Sequence, residues 1–282
     1  MVNNLAAQLV TQQGPIMGIF RLRDPEYGFT RDGRPYMRIR LEDMSGHVHA
    51  YGWQERLSRS EVLNDLTRIY IEGRIRQYRE RPVVDLTTLF RPPRISPGDV
   101  VRLIPHSVCP LSWLLPYLDF AVSRITLAPL KQFVESVLGD DGIAFPFVSA
   151  PGSLNHHHNY PGGLLRHSLE CFGMAEKYRQ FPKQNYELGL VATLFHDIGK
   201  ILTLSHEMKR TSLGSCIEHD KLTFEVLGPY LKQLDRNWSE GARELRYLLN
   251  WKVKRPVPRY NMADVVACCD RVSAGLDRQK RA

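Results

Sequence analysis

Between Pro15 and Phe90 apolar and polar residues alternate with a period of two, as strands with one buried face require. Met37, Ile39 and Leu41 alternate with Tyr36, Arg38 and Arg40. Val48, Ala50 and Gly52 alternate with His47, His49, Tyr51 and Trp53, and Ile69, Ile71, Gly73 and Ile75 with Tyr70, Glu72, Arg74 and Arg76. Asp32-Gly33 and Ser45-Gly46 supply turns. With Pro15–Arg23 and Pro82–Leu89 the pattern predicts five strands, enough for a small closed barrel, and Gln54–Asp65 reads as a short helix between the third and fourth. Pro92, Pro93, Pro97, Pro105 and Pro110 then mark a linker over about 91–110. Beyond it the period becomes helical, predicting helices near 111–122, 125–138, 163–180, 185–198, 217–235, 239–251 and 260–277. The expected fold class is multi-domain: a five-stranded barrel over 1–105, then an all-α domain over 111–282.

Five strands is the count of an OB-fold. The polar face of these strands gathers Tyr36, Arg38, Arg40, Tyr51, Trp53, Arg74 and Arg76, with His47, His49 and Tyr78 nearby. Rings on which bases stack, beside guanidinium groups that pair with phosphates, are what single-strand binding needs. Composition leans the same way. The formal charge is +8, and every basic side chain before Lys131 is Arg, which binds phosphate bidentately. A solvated arginine face over an aromatic core gives the same pattern, and the sequence leaves both open.

The five Cys form no Cys-x-x-Cys pair, and Cys268-Cys269 are poorly placed for a disulfide, so reduced thiols and a cytoplasmic location are expected. Neither a secretory leader nor a membrane-length apolar run is visible.

The candidate chemistry lies in the helical half. His196 and Asp197 follow the apolar stripe Leu188, Leu190, Val191, Leu194 and Phe195, with Gly199 placed as a helix stop. An imidazole and a carboxylate side by side at a helix end can share one metal ion. His156-His157-His158 precede Pro161-Gly162-Gly163, and His167 lies one turn into the next helix. Asp270 sits in Val265-Val266-Ala267-Cys268-Cys269-Asp270, expected to be buried and therefore ion-paired, with Arg271 or another arginine, or metal-bound. His167, His196, Asp197 and Asp270 would form an N/O ligand set from three helices. Its lack of Cys argues against structural zinc, and Mn²⁺ fits better than Mg²⁺ or Fe²⁺ as first choice, imidazole being a poor partner for Mg²⁺.

His167, His196-Asp197 and Asp270 in this order resemble the H…HD…D signature of the HD phosphohydrolase superfamily. Asn155-His156-His157-His158-Asn159-Tyr160-Pro161-Gly162-Gly163-Leu164-Leu165-Arg166-His167-Ser168 is similar to two of its branches: YhaM-type 3′→5′ exoribonucleases, in which an OB-fold precedes the HD domain, and the HD domain of TraI-type relaxases. The resemblance implies metal ligation by His167, His196, Asp197 and Asp270, phosphate contact by Lys200, and His157 and His158 facing substrate or a second ion. His219 is the best candidate for an extra ligand. Asn250-Trp251 stands where such exonucleases tend to carry a His pair, so one metal or two stays open.

Three functions follow. The first is a metal-dependent phosphodiesterase that cleaves single-stranded RNA or DNA, by 3′→5′ exonuclease action. The second is a relaxase-like nuclease of a mobile element. The third is a non-catalytic single-strand-binding protein with a degenerate site.

Overall fold

The computed structural model describes residues 6, 8, 13–53, 64–92, 98–250 and 257–279. The helix expected over 54–65 falls almost wholly outside these residues. Contacts divide the chain into two compact units, Met1–Val108 and Cys109–Ala282.

Unit one is a closed barrel of β1 (Gly14–Phe29), β2 (Pro35–Asp43), β3 (Gly46–Trp53), β4 (Arg68–Tyr78) and β5 (Arg81–Phe90). Going round it the order is β1-β2-β3-β5-β4, closing as β4 pairs with β1. All pairs are antiparallel except β3 with β5, the connectivity of an OB-fold. Alternation decides the faces: Phe20, Ile39, Leu41, Ala50, Ile69 and Ile71 are fully buried in the barrel core. Each large side chain so buried contributes about 1.5–3 kcal/mol.

The proline-marked segment is no loose tether. Val101, Leu103 and Ile104 are buried, Arg21 Nε donates to Leu103 O at 2.7 Å, and Met44 N donates to Arg102 O at 2.9 Å. Within 98–108 the chain is thus tied to the barrel by hydrogen bonds to its backbone, and its apolar side chains are buried.

Unit two consists, among the described residues, of α1 (Leu115–Ser123), α2 (Ala128–Gly139), α3 (Asp141–Ser149), α4 (Gly163–Ala175), α5 (Lys183–Phe195), α6 (Lys200–Thr203), α7 (Ser212–Cys216), α8 (His219–Asn237), α9 (Ser239–Leu249) and α10 (Met262–Gln279). The periodicity missed three of these. Pro146 disguises α3, which Asp140 caps by accepting from Gly142 N at 2.8 Å, and α6 and α7 are too short to show a period. The central helix is α5, buried on every side from Tyr186 to Phe195. Phe195 meets Phe133 and Phe147 at ring-centroid distances of 6.3 and 5.9 Å. Glu187, buried on α5, accepts from Thr126 N and Leu127 N at 2.8 Å each. It thereby serves the open N–H groups at the start of α2, where no local side chain caps the helix. No described helix is long and apolar enough to cross a membrane.

Candidate metal centre

Three elements of unit two bring the candidate ligands together. His167 stands on α4, His196 caps the C-terminus of α5 with Asp197 next to it, and Asp270 stands on α10. Both α5 and α10 pack against α4. The nitrogen and oxygen atoms converge: His167 Nε2 lies 3.1 Å from His196 Nε2, 3.2 Å from Asp270 Oδ1 and 3.6 Å from Asp197 Oδ2. His196 Nε2 lies 3.6 Å from Asp197 Oδ2 and 3.7 Å from Asp270 Oδ1. Ligands at about 2.1 Å around one cation are separated by about 3 Å along each edge of the octahedron.

Protons settle what this arrangement can hold. His196 Nδ1 faces Thr193 O at 3.0 Å, and a carbonyl only accepts, so Nδ1 carries the hydrogen. His167 Nδ1 faces Ser273 Oγ at 3.0 Å, and that hydroxyl donates to Glu170 Oε2 at 2.8 Å, so here too Nδ1 donates. Both rings therefore turn Nε2 toward each other and toward two carboxylates. Burial lowers the His167 pKa, whereas for His196 burial is outweighed by the carboxylates of Asp197 and Asp270, which raise it. With both Nε2 atoms deprotonated, the two rings and the two carboxylates would offer a divalent cation four acceptors. Cys171 Sγ is 3.8 Å from His167 Nε2, but burial, reinforced by Asp270, pushes its thiol well above its ordinary value and keeps it protonated.

Against its burial, which favours the neutral acid, Asp197 is held well below the usual carboxylate range by Lys200 and the histidines. Its Oδ2 meets Lys200 Nζ at 2.5 Å and its Oδ1 meets His219 Nε2 at 3.2 Å. His219 Nε2 also lies 2.9 Å from Asp220 Oδ1. Asp197, His219 and Asp220 thus make a second cluster of possible ligands joined to the first through Asp197. Asp220 joins the site only through the fold, its place next to His219 being the one signal in the sequence.

Two cavities of about 400 Å³ each adjoin the cluster. The first carries Lys200, Arg210, His157 and His219, with Leu204 and Ile217 as apolar wall. The second carries His196, Asp197, Asp220, Asp270 and Asn250. Arg210 was not foreseen. It stands on a hairpin closed by the bridge Leu204–Arg210, which pattern reading does not detect.

Several expectations change. His157 lines the first cavity, where burial and then Lys200 lower its pKa to about 4, leaving it neutral at pH 7. His158 lines neither cavity. It is fully buried, with Nε2 3.0 Å from Glu170 Oε2 and its backbone N donating to Asp277 Oδ2 at 2.7 Å, and it stands with His157 and His167 in a group of three rings that could hold an ion. The Pro-Gly-Gly turn lets α4 begin against the His158 loop, since a Cβ on Gly163 would come within 2.1 Å of His158 O. Asp270 is not deeply buried: its side chain is 44% exposed, toward the second cavity, and its ion-pair partners are His167 and His196.

Gly199 is not a helix stop. Its φ of −59° is ordinary helix, and α5 has already ended at Phe195. Glycine is needed because His219 O would come within 2.1 Å of a Cβ, so this contact sets the start of α8 beside Asp197. Gly199→Ala should therefore cost roughly 1–3 kcal/mol. In a thermal melt that is a Tm lower by several degrees in a domain of this size. An unchanged Tm would refute the tight contact.

On the barrel, Tyr36, Arg38, Arg40, Tyr51, Trp53, Arg74 and Arg76 all stand off the buried face of their strands. Tyr36 pairs with Trp53, Arg38 with Tyr51 and Arg74 with Asp85 across neighbouring strands. The Tyr36 ring is 6.3 Å from each of Tyr51 and Trp53. Three of the arginines hold acids: Arg38 with Glu26 at 2.6 Å, Arg40 with Asp24 at 2.7 Å and Arg76 with Asp85 at 2.5 Å.

Residues 164–275 match the family model of the HD domain. A relative named 3′-5′ exoribonuclease YhaM from Oceanobacillus iheyensis is 23% identical over 300 residues, covering all of this chain and 90% of that protein. Another of the same name, from Listeria monocytogenes, is 21% identical, covering 89% of this chain and 82% of its own. Among solved structures, the SSB domain of a Synechococcus protein aligns with a TM-score of 0.25 at 14% identity, covering 29% of this chain and 98% of that one.

Proposed function

We propose that this chain, in which an OB-type barrel precedes in sequence a helical unit matching the HD domain, is a metal-dependent nuclease that degrades single-stranded nucleic acid from the 3′ end. The observation that carries the reading is the convergence of His167, His196, Asp197 and Asp270 on one point beside a cavity containing Lys200 and Arg210. The names of the relatives support the exonuclease direction. Mn²⁺ remains the preferred ion, because half of the donors are imidazole.

A divalent cation held there would polarise a phosphoryl oxygen and make a bound water more acidic. The chain's own groups supply the rest. Lys200 Nζ, already paired with Asp197, can swing its remaining donors to a phosphate oxygen, and Arg210 offers a planar pair of N–H groups further along the cavity. A neutral His157 can accept a proton at a ring nitrogen. The barrel would hold the strand through its aromatic and arginine face.

A 5′-labelled single strand with a free 3′-OH, incubated with Mn²⁺, should shorten stepwise from its 3′ end, on matched RNA and DNA to compare the sugars. Nicking of a supercoiled plasmid with the linear strand left whole would instead favour the relaxase-like reading. A strand bound but never cut would favour the binding protein.

A further inference from the structure

We propose that Glu170 is a positioning residue for the metal centre, fixing the proton and the orientation of His167 through Ser273. The inference rests on reading His167, His196, Asp197 and Asp270 as a cation site, and adds a group that no ligand set contains.

Glu170 lies on α4 one turn after His167, and Ser273 lies on α10 one turn after Asp270. One relay therefore joins the two helices that carry those ligands. A carboxylate can only accept, so Ser273 must donate its hydrogen to Glu170 Oε2, 2.8 Å away. The Ser273 oxygen is then free to accept, and His167 Nδ1 at 3.0 Å must donate to it. That places the lone pair of the fully buried His167 ring on Nε2, facing the cluster. The same Glu170 oxygen takes His158 Nε2 at 3.0 Å, and the other takes Arg166 Nε at 3.1 Å. Burial raises the Glu170 pKa, but these hydrogen bonds outweigh it and bring it to about 2, so the acceptor-only form persists at neutral pH. Metal-bound histidines are commonly held by a carboxylate or carbonyl behind them; here a serine is interposed.

An amide at position 170 breaks the logic, because it can donate to Ser273. The serine can then donate to His167 Nδ1, and the proton moves to Nε2, where a ligand needs its lone pair. Glu170→Gln should therefore weaken Mn²⁺ binding 10- to 100-fold, the usual range for a lost outer partner. Titration of Mn²⁺ followed by electron paramagnetic resonance on the full chain reads this directly. Ser273→Ala should give a similar loss and covers the case in which Glu170→Gln folds poorly. The double variant should lose less than the product of the two, since both break one relay. Arg166→Ala, which removes the other carboxylate contact without reaching Ser273, should stay within about two-fold of the parent.

Long-range ¹⁵N–¹H NMR of the metal-free protein should find His167 protonated at Nδ1, and at Nε2 in Glu170→Gln. Parental metal affinity in Glu170→Gln, multiplicative losses in the double variant, or an unmoved proton would each overturn the proposal. A parent chain that binds no Mn²⁺ would sink the cation-site reading instead, while the NMR comparison would still decide the role of Glu170.

Discussion

Asp197→Ala is expected to abolish Mn²⁺-dependent shortening of a labelled single strand, with a rate at least about 10³-fold below the parent, or about 4 kcal/mol of lost barrier reduction. The size follows from how many contacts one carboxylate serves. Its Oδ2 faces His167 Nε2 and His196 Nε2 at 3.6 Å each and Lys200 Nζ at 2.5 Å, while its Oδ1 faces His219 Nε2 at 3.2 Å. Removal takes a ligand from the first cluster, disconnects the second, and leaves a buried ammonium without its counter-charge. That last effect also costs stability, so Asp197→Asn, which keeps shape and loses charge, belongs beside it. Strand binding measured without turnover should be unchanged in both, because the barrel is a separate compact unit. Cleavage at the parental rate in either variant would end the metal-centre reading.

Tyr51→Ala with Trp53→Ala should weaken single-strand binding at least about 30-fold, since each stacked base is worth about 1–3 kcal/mol. Fluorescence anisotropy of a labelled oligonucleotide in the Asp197→Asn background measures this without cleavage. Hydrolysis of a small phosphodiester such as bis-p-nitrophenyl phosphate, tested with Asp197 intact, should be unaffected by the barrel variants. The arginines will matter less, because Arg38, Arg40 and Arg76 already hold Glu26, Asp24 and Asp85, and a phosphate must compete for them. Exposed ion pairs are weak, so the exchange is feasible and should appear as a salt dependence. Unaltered anisotropy would move the strand site away from this face.

The strands were legible because a period of two survives any tertiary arrangement. Met37, Ile39 and Leu41 must share a face wherever β2 lies, and they are buried together. The long helices were legible for the same reason, whereas α6 and α7 are shorter than the window in which a period can be seen. Gly199 was misread because sequence offers a familiar reason for glycine after a helix, the left-handed cap. The true reason, the approach of His219 O, comes from twenty residues away. Glu187 likewise gives no local sign that it caps α2 from the neighbouring helix.

Chemistry follows the same division. By itself the sequence determined which residue types were available: two imidazoles and two carboxylates in the right order, and a face of rings and guanidinium groups on alternating positions. Those are properties of covalent order and of strand and helix geometry. Only the tertiary structure decided that His158 turns inward to Glu170 while His157 lines a cavity, that Arg210 and Asp220 join the site, and that Ser273 lies behind His167. Lone pairs, protons and cavities depend on contacts between segments about a hundred residues apart, such as His167 with Ser273, and side-chain period carries no record of them.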